Sequence, residues 1–146
     1  MDYRLPILAA CTLCLSCSGN PDEEQAKDCI ASFCEAYFNY DLKKALECST
    51  PESRKWISYT ASIITDSDIS LLRSKDMATV TVGDIELGAG DTTATATVTV
   101  CNWLRPDSVE THGSITGEEV FELRAVSRNK VWKVDFRTED LLRSER

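Results

Sequence analysis

The run Thr92-Thr93-Ala94-Thr95-Ala96-Thr97-Val98-Thr99-Val100-Cys101-Asn102-Trp103 alternates strictly through its middle, with Thr95, Thr97 and Thr99 set against Ala96, Val98 and Val100. A period of two sends successive side chains to opposite faces of a pleated strand, so this run predicts a strand with one apolar and one hydroxyl-bearing face. On either side of it the same period marks Ala78–Leu87, Glu119–Val126 and Val131–Phe136, which makes four strands. Their connections are short except for the loop from Arg105 to Glu118. Within the first strand Gly83-Asp84 shifts the apolar phase from Val80 and Val82 to Ile85 and Leu87, the mark of a β-bulge.

Upstream the period becomes helical. Ala26, Cys29, Ile30, Phe33, Cys34, Tyr37 and Phe38 recur at three and four, which predicts a helix from Glu23 to Tyr40. Asp41 caps a short second helix bearing Leu42, Ala45 and Leu46, and Thr50-Pro51-Glu52 opens a third whose stripe is Trp56, Tyr59, Ile63 and Ile64. The polar cluster Asp66-Ser67-Asp68 is expected to end it. Helices followed by an antiparallel meander define an α+β domain, placed at residues 25–138 with a polar C-terminal tail at 139–146.

The N-terminus follows a different logic. After Met1-Asp2-Tyr3-Arg4 the chain is mostly apolar from Leu5 to Leu15, a length that suits a signal peptide and falls short of the roughly 20 residues needed to span a bilayer. Leu13-Cys14-Leu15-Ser16-Cys17 resembles the lipobox of bacterial lipoproteins, with Cys14 standing where that family usually has Leu. The resemblance implies a signal peptide at residues 1–16, cleavage after Ser16 and lipid attachment, palmitate included, on Cys17. Each buried methylene contributes about 0.8 kcal/mol, so several acyl chains would hold the protein firmly. Residues 17–24 then read as the lipidated Cys and a flexible tether, in which Asp22-Glu23-Glu24 suits either a surface-export signal or an acidic first helical turn. Ser18 after the Cys is similar to outer-membrane sorting signals. The expected location is therefore the cell outer membrane, facing the periplasm or the cell surface.

From Glu23 to Thr138 the chain resembles the nuclear-transport-factor-2-like, or cystatin-like, domains of small bacterial lipoproteins of unknown function. The likeness lies in Phe33-Cys34-Glu35-Ala36-Tyr37-Phe38 running on through Asp41 to Leu46 and Thr50-Pro51, and in the closing strand Val131-Trp132-Lys133-Val134-Asp135. It implies N-terminal helices packed on a curved four-stranded antiparallel sheet, forming a cone whose interior is either a ligand pocket or a filled core. Members include enzymes, carriers and scaffolds, so the fold assigns no function by itself.

Composition removes several function classes. With 16 basic against 24 acidic residues the formal charge is −8, and no basic cluster exceeds Lys43-Lys44, so no nucleic-acid partner is expected. The single His112 sits in the polar loop Ser108–Gly117, too isolated for a zinc set or a Ser/His/Asp system, and no metal or cofactor is expected. Gly88-Ala89-Gly90 joins two strands and reads as a turn. Cys29 and Cys34 lie about 7.5 Å apart in helical rise and about 140° in rotation, which rules out a bridge between them. For Cys29, Cys34, Cys48 and Cys101, buried thiols and other pairings both stay open.

Two functions survive. The first is a non-catalytic binding or scaffold module, with Tyr37, Trp56, Tyr59 and Trp132 lining or filling the cone. Its partners are the membrane through the N-terminal lipid, a small apolar ligand or another protein, and a second copy through the threonine face of the sheet. The alternative is an isomerase- or dehydratase-like enzyme with an Asp general base beside a Tyr donor, drawn from Asp84, Asp135, Tyr37, Tyr40 and Tyr59. Alternation with Trp132, Val134 and Phe136 sends Asp135 away from the core.

Overall fold

The computed structural model describes residues 19–107 and 111–141. The leader, the lipobox with Cys17, and the last five residues of the tail lie outside the described residues. Helix α1 spans Pro21–Phe38, with the Asn20 side chain accepting from the Asp22 amide and Pro21 at the first position. The helix thus begins inside the stretch read as a tether, because Asn-Pro is itself a start signal and Asp22, Glu23 and Glu24 suit its positive end. At the other end the Asn39 side chain donates to the Glu35 carbonyl and also pairs with both backbone groups of Ala78, tying the helix end to the first strand.

Helix α2 covers Leu42–Glu47 under an Asp41 cap. The third expected helix arrives in two pieces, a single 3-10 turn at Pro51–Ser53 and then α3 at Arg54–Ile63. Ser53 is fully buried at the junction, where its hydroxyl accepts from the Phe136 amide and contacts the Val134 carbonyl, docking the helix onto the last strand. Asp66-Ser67-Asp68 does not end the helical region. It opens a fourth helix, α4 at Asp66–Ser74, because Thr65 and Asp68 cap each other's backbone amides at its start.

Strands β1 (Thr79–Leu87), β2 (Thr93–Cys101), β5 (Glu118–Arg128) and β6 (Val131–Asp135) form one antiparallel sheet in the order β1-β2-β5-β6. The register slips between Val82 and Ile85, at the expected bulge. Inside the long loop the two-residue strands β3 (Leu104–Arg105) and β4 (Ser114–Ile115) make a small hairpin that period-two reading does not reach. Helices on a four-stranded antiparallel sheet give the α+β cone.

The inner face of the sheet carries Ala94, Ala96, Val98, Val100, Phe121, Leu123, Ala125, Trp132 and Val134, all buried. Against them α1 sets Phe33, Tyr37 and Phe38. A continuous run of rings follows: Phe33 to Phe136 at 5.2 Å, Phe136 to Tyr37 at 4.6 Å, Tyr37 to Phe38 at 5.2 Å, and Phe38 to both Trp103 and Phe121. These six rings fill the cone, and aromatic pairs at such spacings add about 0.5–1.5 kcal/mol each beyond their burial. The tail also contributes, since a 3-10 turn at Thr138–Leu141 buries Leu141 against the core and extends the domain past residue 138. Among the described residues no helix is long and apolar enough to cross a membrane.

Candidate functional site

Where the aromatic filling stops, a cavity of about 260 Å³ remains, walled by Tyr37 from α1, Tyr59, Thr60 and Ile63 from α3, Trp103, Arg105, Pro106 and Asp107 around β3, and Thr138 and Leu141 from the final turn. Each wall has a local cause. Tyr37 belongs to the buried stripe of α1, and Thr60 and Ile63 lie three apart on the inward side of α3. Trp103 follows directly on β2, where Asn102 adopts a left-handed conformation with φ 60° and turns the chain towards the hairpin. The hairpin then carries Arg105, Pro106 and Asp107 to the rim.

Two buried hydroxyls form the polar side of this cavity. The Tyr37 and Thr60 hydroxyl oxygens lie 2.9 Å apart, and Thr60 Oγ1 lies 3.3 Å from the Trp56 carbonyl oxygen. A carbonyl only accepts and a threonine has one hydroxyl proton, so both bonds are filled together only when Thr60 donates to Trp56 and Tyr37 donates to Thr60. Burial pushes the Tyr37 phenol up to about 12, against the smaller opposing effect of its bond to Thr60, so it is neutral across the physiological range. At the rim Arg105 pairs with Glu119 at 3.2 Å.

The hairpin is fastened from beneath. Tyr40 donates its hydroxyl proton to the Leu104 carbonyl, and burial pushes that phenol up as well. The Asp68 carboxylate, 1% exposed, accepts from the Gly113 amide at 2.8 Å and from the Thr65 amide at 3.0 Å. Burial alone would raise this carboxyl, but the backbone bonds from Thr65 and Gly113, with His112 nearby, outweigh it and hold it below the usual range.

The residues singled out from sequence separate into several places. Tyr37 and Tyr59 both line the cavity described above, Tyr59 as a half-exposed rim ring. Trp56 stays half-buried beside it, with the Lys55 ammonium 4.9 Å from its ring, and Trp132 is buried in the core with no partner for its indole N–H among the described residues. Asp84 is exposed and lines a groove outside the sheet with Glu86, Thr97 and Glu122. Asp135 is likewise outside, paired with Arg124 on the neighbouring strand. A roomier groove of about 380 Å³ there, between Thr95, Glu122, Arg124, Asp135 and Arg137, is walled mainly by charge and lacks the apolar enclosure of a ligand site. His112 is exposed. Among the described residues no cluster of His, Cys, Asp or Glu could hold a metal ion.

All four described cysteines are free thiols. Burial and the neighbouring Cys48 push Cys29 up to about 11, and burial pushes Cys34 up too, so neither is a ready nucleophile.

No family model matches the chain, and neither does any curated protein. Among solved structures it is similar to an LEH-like epoxide hydrolase of M. tuberculosis, at 11% identity over 86% of this chain and 88% of that chain, with a TM-score of 0.35. It is also similar to a Xanthomonas campestris pv. campestris protein assigned as a polyketide cyclase, at 14% identity over 84% and 98% of the two chains, with a TM-score of 0.34. Likeness at that distance transfers no residue role.

Proposed function

We propose that the chain is a lipid-anchored envelope protein whose cone is a non-catalytic binding module for a small, mostly apolar ligand. The observation that carries this reading is the division of labour between the cavity and the outer face of the sheet. The inner cavity is lined by apolar walls and a neutral hydroxyl pair, with Arg105 and the exposed Asp107 at its rim, whereas Asp84 and Asp135 are outside it. General acid/base chemistry needs a carboxylate or imidazole held dry beside the reacting atom. Binding needs only shape. An apolar cavity of roughly 150 Å³ holds one benzene ring, and about 260 Å³ admits one substituted ring.

Export and lipidation at Cys17 rest on the length of the apolar leader and on the resemblance to a lipobox. Helix α1 begins only four residues after Cys17, so at about 3.3–3.6 Å per residue the domain would stand within about 14 Å of its anchor. The threonine face offers a second copy of the chain a surface in the same proposal. Two measurements test the reading. The Cys17→Ser protein should leave the detergent phase for the aqueous one, and continued partitioning into detergent at the mature size would refute the anchor. Wild-type protein titrated with p-xylene should show amide shifts at Thr60, Ile63 and Leu141 that Ile63→Phe, which fills the cavity, abolishes; equal binding by that variant would refute the pocket.

A further inference from the structure

The hydroxyl pair in the cavity wall has a fixed polarity, and this specifies the ligand more closely than the apolar walls do. Thr60 has one hydroxyl proton, and the Trp56 carbonyl at 3.3 Å can only accept it. The remaining bond in the pair, 2.9 Å between the Tyr37 and Thr60 oxygens, is then filled by the Tyr37 proton. With both protons committed inside the protein, what is left on the two oxygens is lone pairs. The pair offers an acceptor and no donor.

We propose that the cavity selects a small ring ligand that carries its own hydrogen-bond donor, a phenol or ring alcohol, over one whose polar group is a carbonyl. Tyr37 and Thr60 are the specificity-determining residues: Tyr37 accepts from the ligand, and Thr60 sets the direction by holding Tyr37's proton. A carbonyl ligand entering this wall meets lone pairs only, and it gives up its water bonds without replacement. Rotating Tyr37 to donate to such a ligand would break its bond to Thr60 inside a site where both residues are 2% exposed. The same polarity is the opposite of what carbonyl-activating chemistry requires, since a Tyr that polarises a carbonyl must have a free proton to give. Of the two charged rim residues, Asp107 accepts as the hydroxyl pair does, while the donor Arg105 lies at the mouth, paired with Glu119 at 3.2 Å and away from the hydroxyl wall that sets the polarity.

This inference rests on the reading of the cavity as a binding site, and the experiment separates the two. p-Cresol and p-tolualdehyde share a ring and a methyl group and differ in whether the polar group donates or only accepts. Titrated into the full chain and followed by the amide shifts of Thr60 and Leu141, p-cresol should bind about tenfold more tightly than p-tolualdehyde, the usual effect of one buried polar group left unmatched. Thr60→Val keeps the shape but frees the Tyr37 proton, so the preference should collapse or reverse. Tyr37→Phe should lower p-cresol affinity more than it lowers p-xylene affinity. Equal or tighter aldehyde binding in the wild type overturns the polarity while sparing the pocket. So does a preference that Thr60→Val leaves unmoved. If p-xylene, p-cresol and p-tolualdehyde all fail to shift these amides, the binding reading falls and the inference falls with it.

Discussion

Asp68 shows how much one side chain can organise when its oxygens are spent on backbone. A buried carboxylate is costly unless hydrogen-bonded, and here one oxygen receives the Thr65 amide and starts α4 while the other receives the Gly113 amide and holds the hairpin. Asp68→Ala removes both acceptors and leaves one buried and one partly buried donor unpaired, so we expect a loss of about 2–4 kcal/mol in urea denaturation at pH 7. The pH dependence follows from the direction of its shift. The folded carboxyl lies below its unfolded value of about 3.9, so its contribution is complete above that value and is lost as pH falls through the folded one. The difference between wild type and Asp68→Ala should therefore hold from pH 7 to pH 5 and narrow below about pH 4. A difference that stays constant down to pH 2 would mean that the charged carboxylate is not what the Gly113 and Thr65 amides hold.

At the level of elements, the hairpin β3–β4 decides whether the cavity has a wall, and Gly113 decides whether the hairpin closes. A Cβ at position 113 would lie 2.2 Å from the Arg105 carbonyl oxygen and 3.1 Å from the Pro106 Cα, both backbone atoms that cannot swing aside. Gly113→Ala should cost about 1–3 kcal/mol and shift the amides of Arg105 and Asp107, weakening p-xylene binding as that wall moves. Gly117→Ala is the control, since nothing lies within 4 Å of a Cβ there, and it should stay within about 0.5 kcal/mol of wild type. If both variants behave alike, close approach at Gly113 is not what shapes the hairpin. The strands and α1 are legible in the sequence because each keeps its period over a run of nine or more residues, apart from β1, where the bulge at Gly83-Asp84 resets the phase midway, and β6 at five. Helix α4 carried a readable sign too, since Thr65-Asp66-Ser67-Asp68 is a capping box ahead of Ile69, Leu71 and Leu72, but a run of polar residues reads as a stop as easily as a start. The cavity could not be read that way. Its walls come from α1, α3, the hairpin and the final turn, and only tertiary packing brings Tyr37, Thr60, Trp103 and Leu141 together.

For the whole molecule the question is where the self-sufficient unit begins, and the residues at the start of α1 answer it. The Asn20 side chain caps the Asp22 amide, the Asn20 carbonyl receives the Glu24 amide, and Pro21 occupies a position that needs no donor. Helix α1 thus needs nothing upstream of Asn20 to close its first turn, and its buried residues run from Ala26 to Phe38 against the sheet. The six rings that fill the cone, and Leu141 that closes its end, all belong to the same unit. A chain starting at Gly19 should therefore keep its thermal midpoint within about 2 °C of the full-length protein in detergent, less than a 1 kcal/mol change would produce in a domain of this size. It should also retain p-xylene binding while losing membrane association. Removing Asn20 and Pro21 as well takes away the cap and should cost about 1 kcal/mol. A truncation at Gly19 that unfolds the domain would show that residues 1–18 are part of its core, and the leader reading could not then stand beside it.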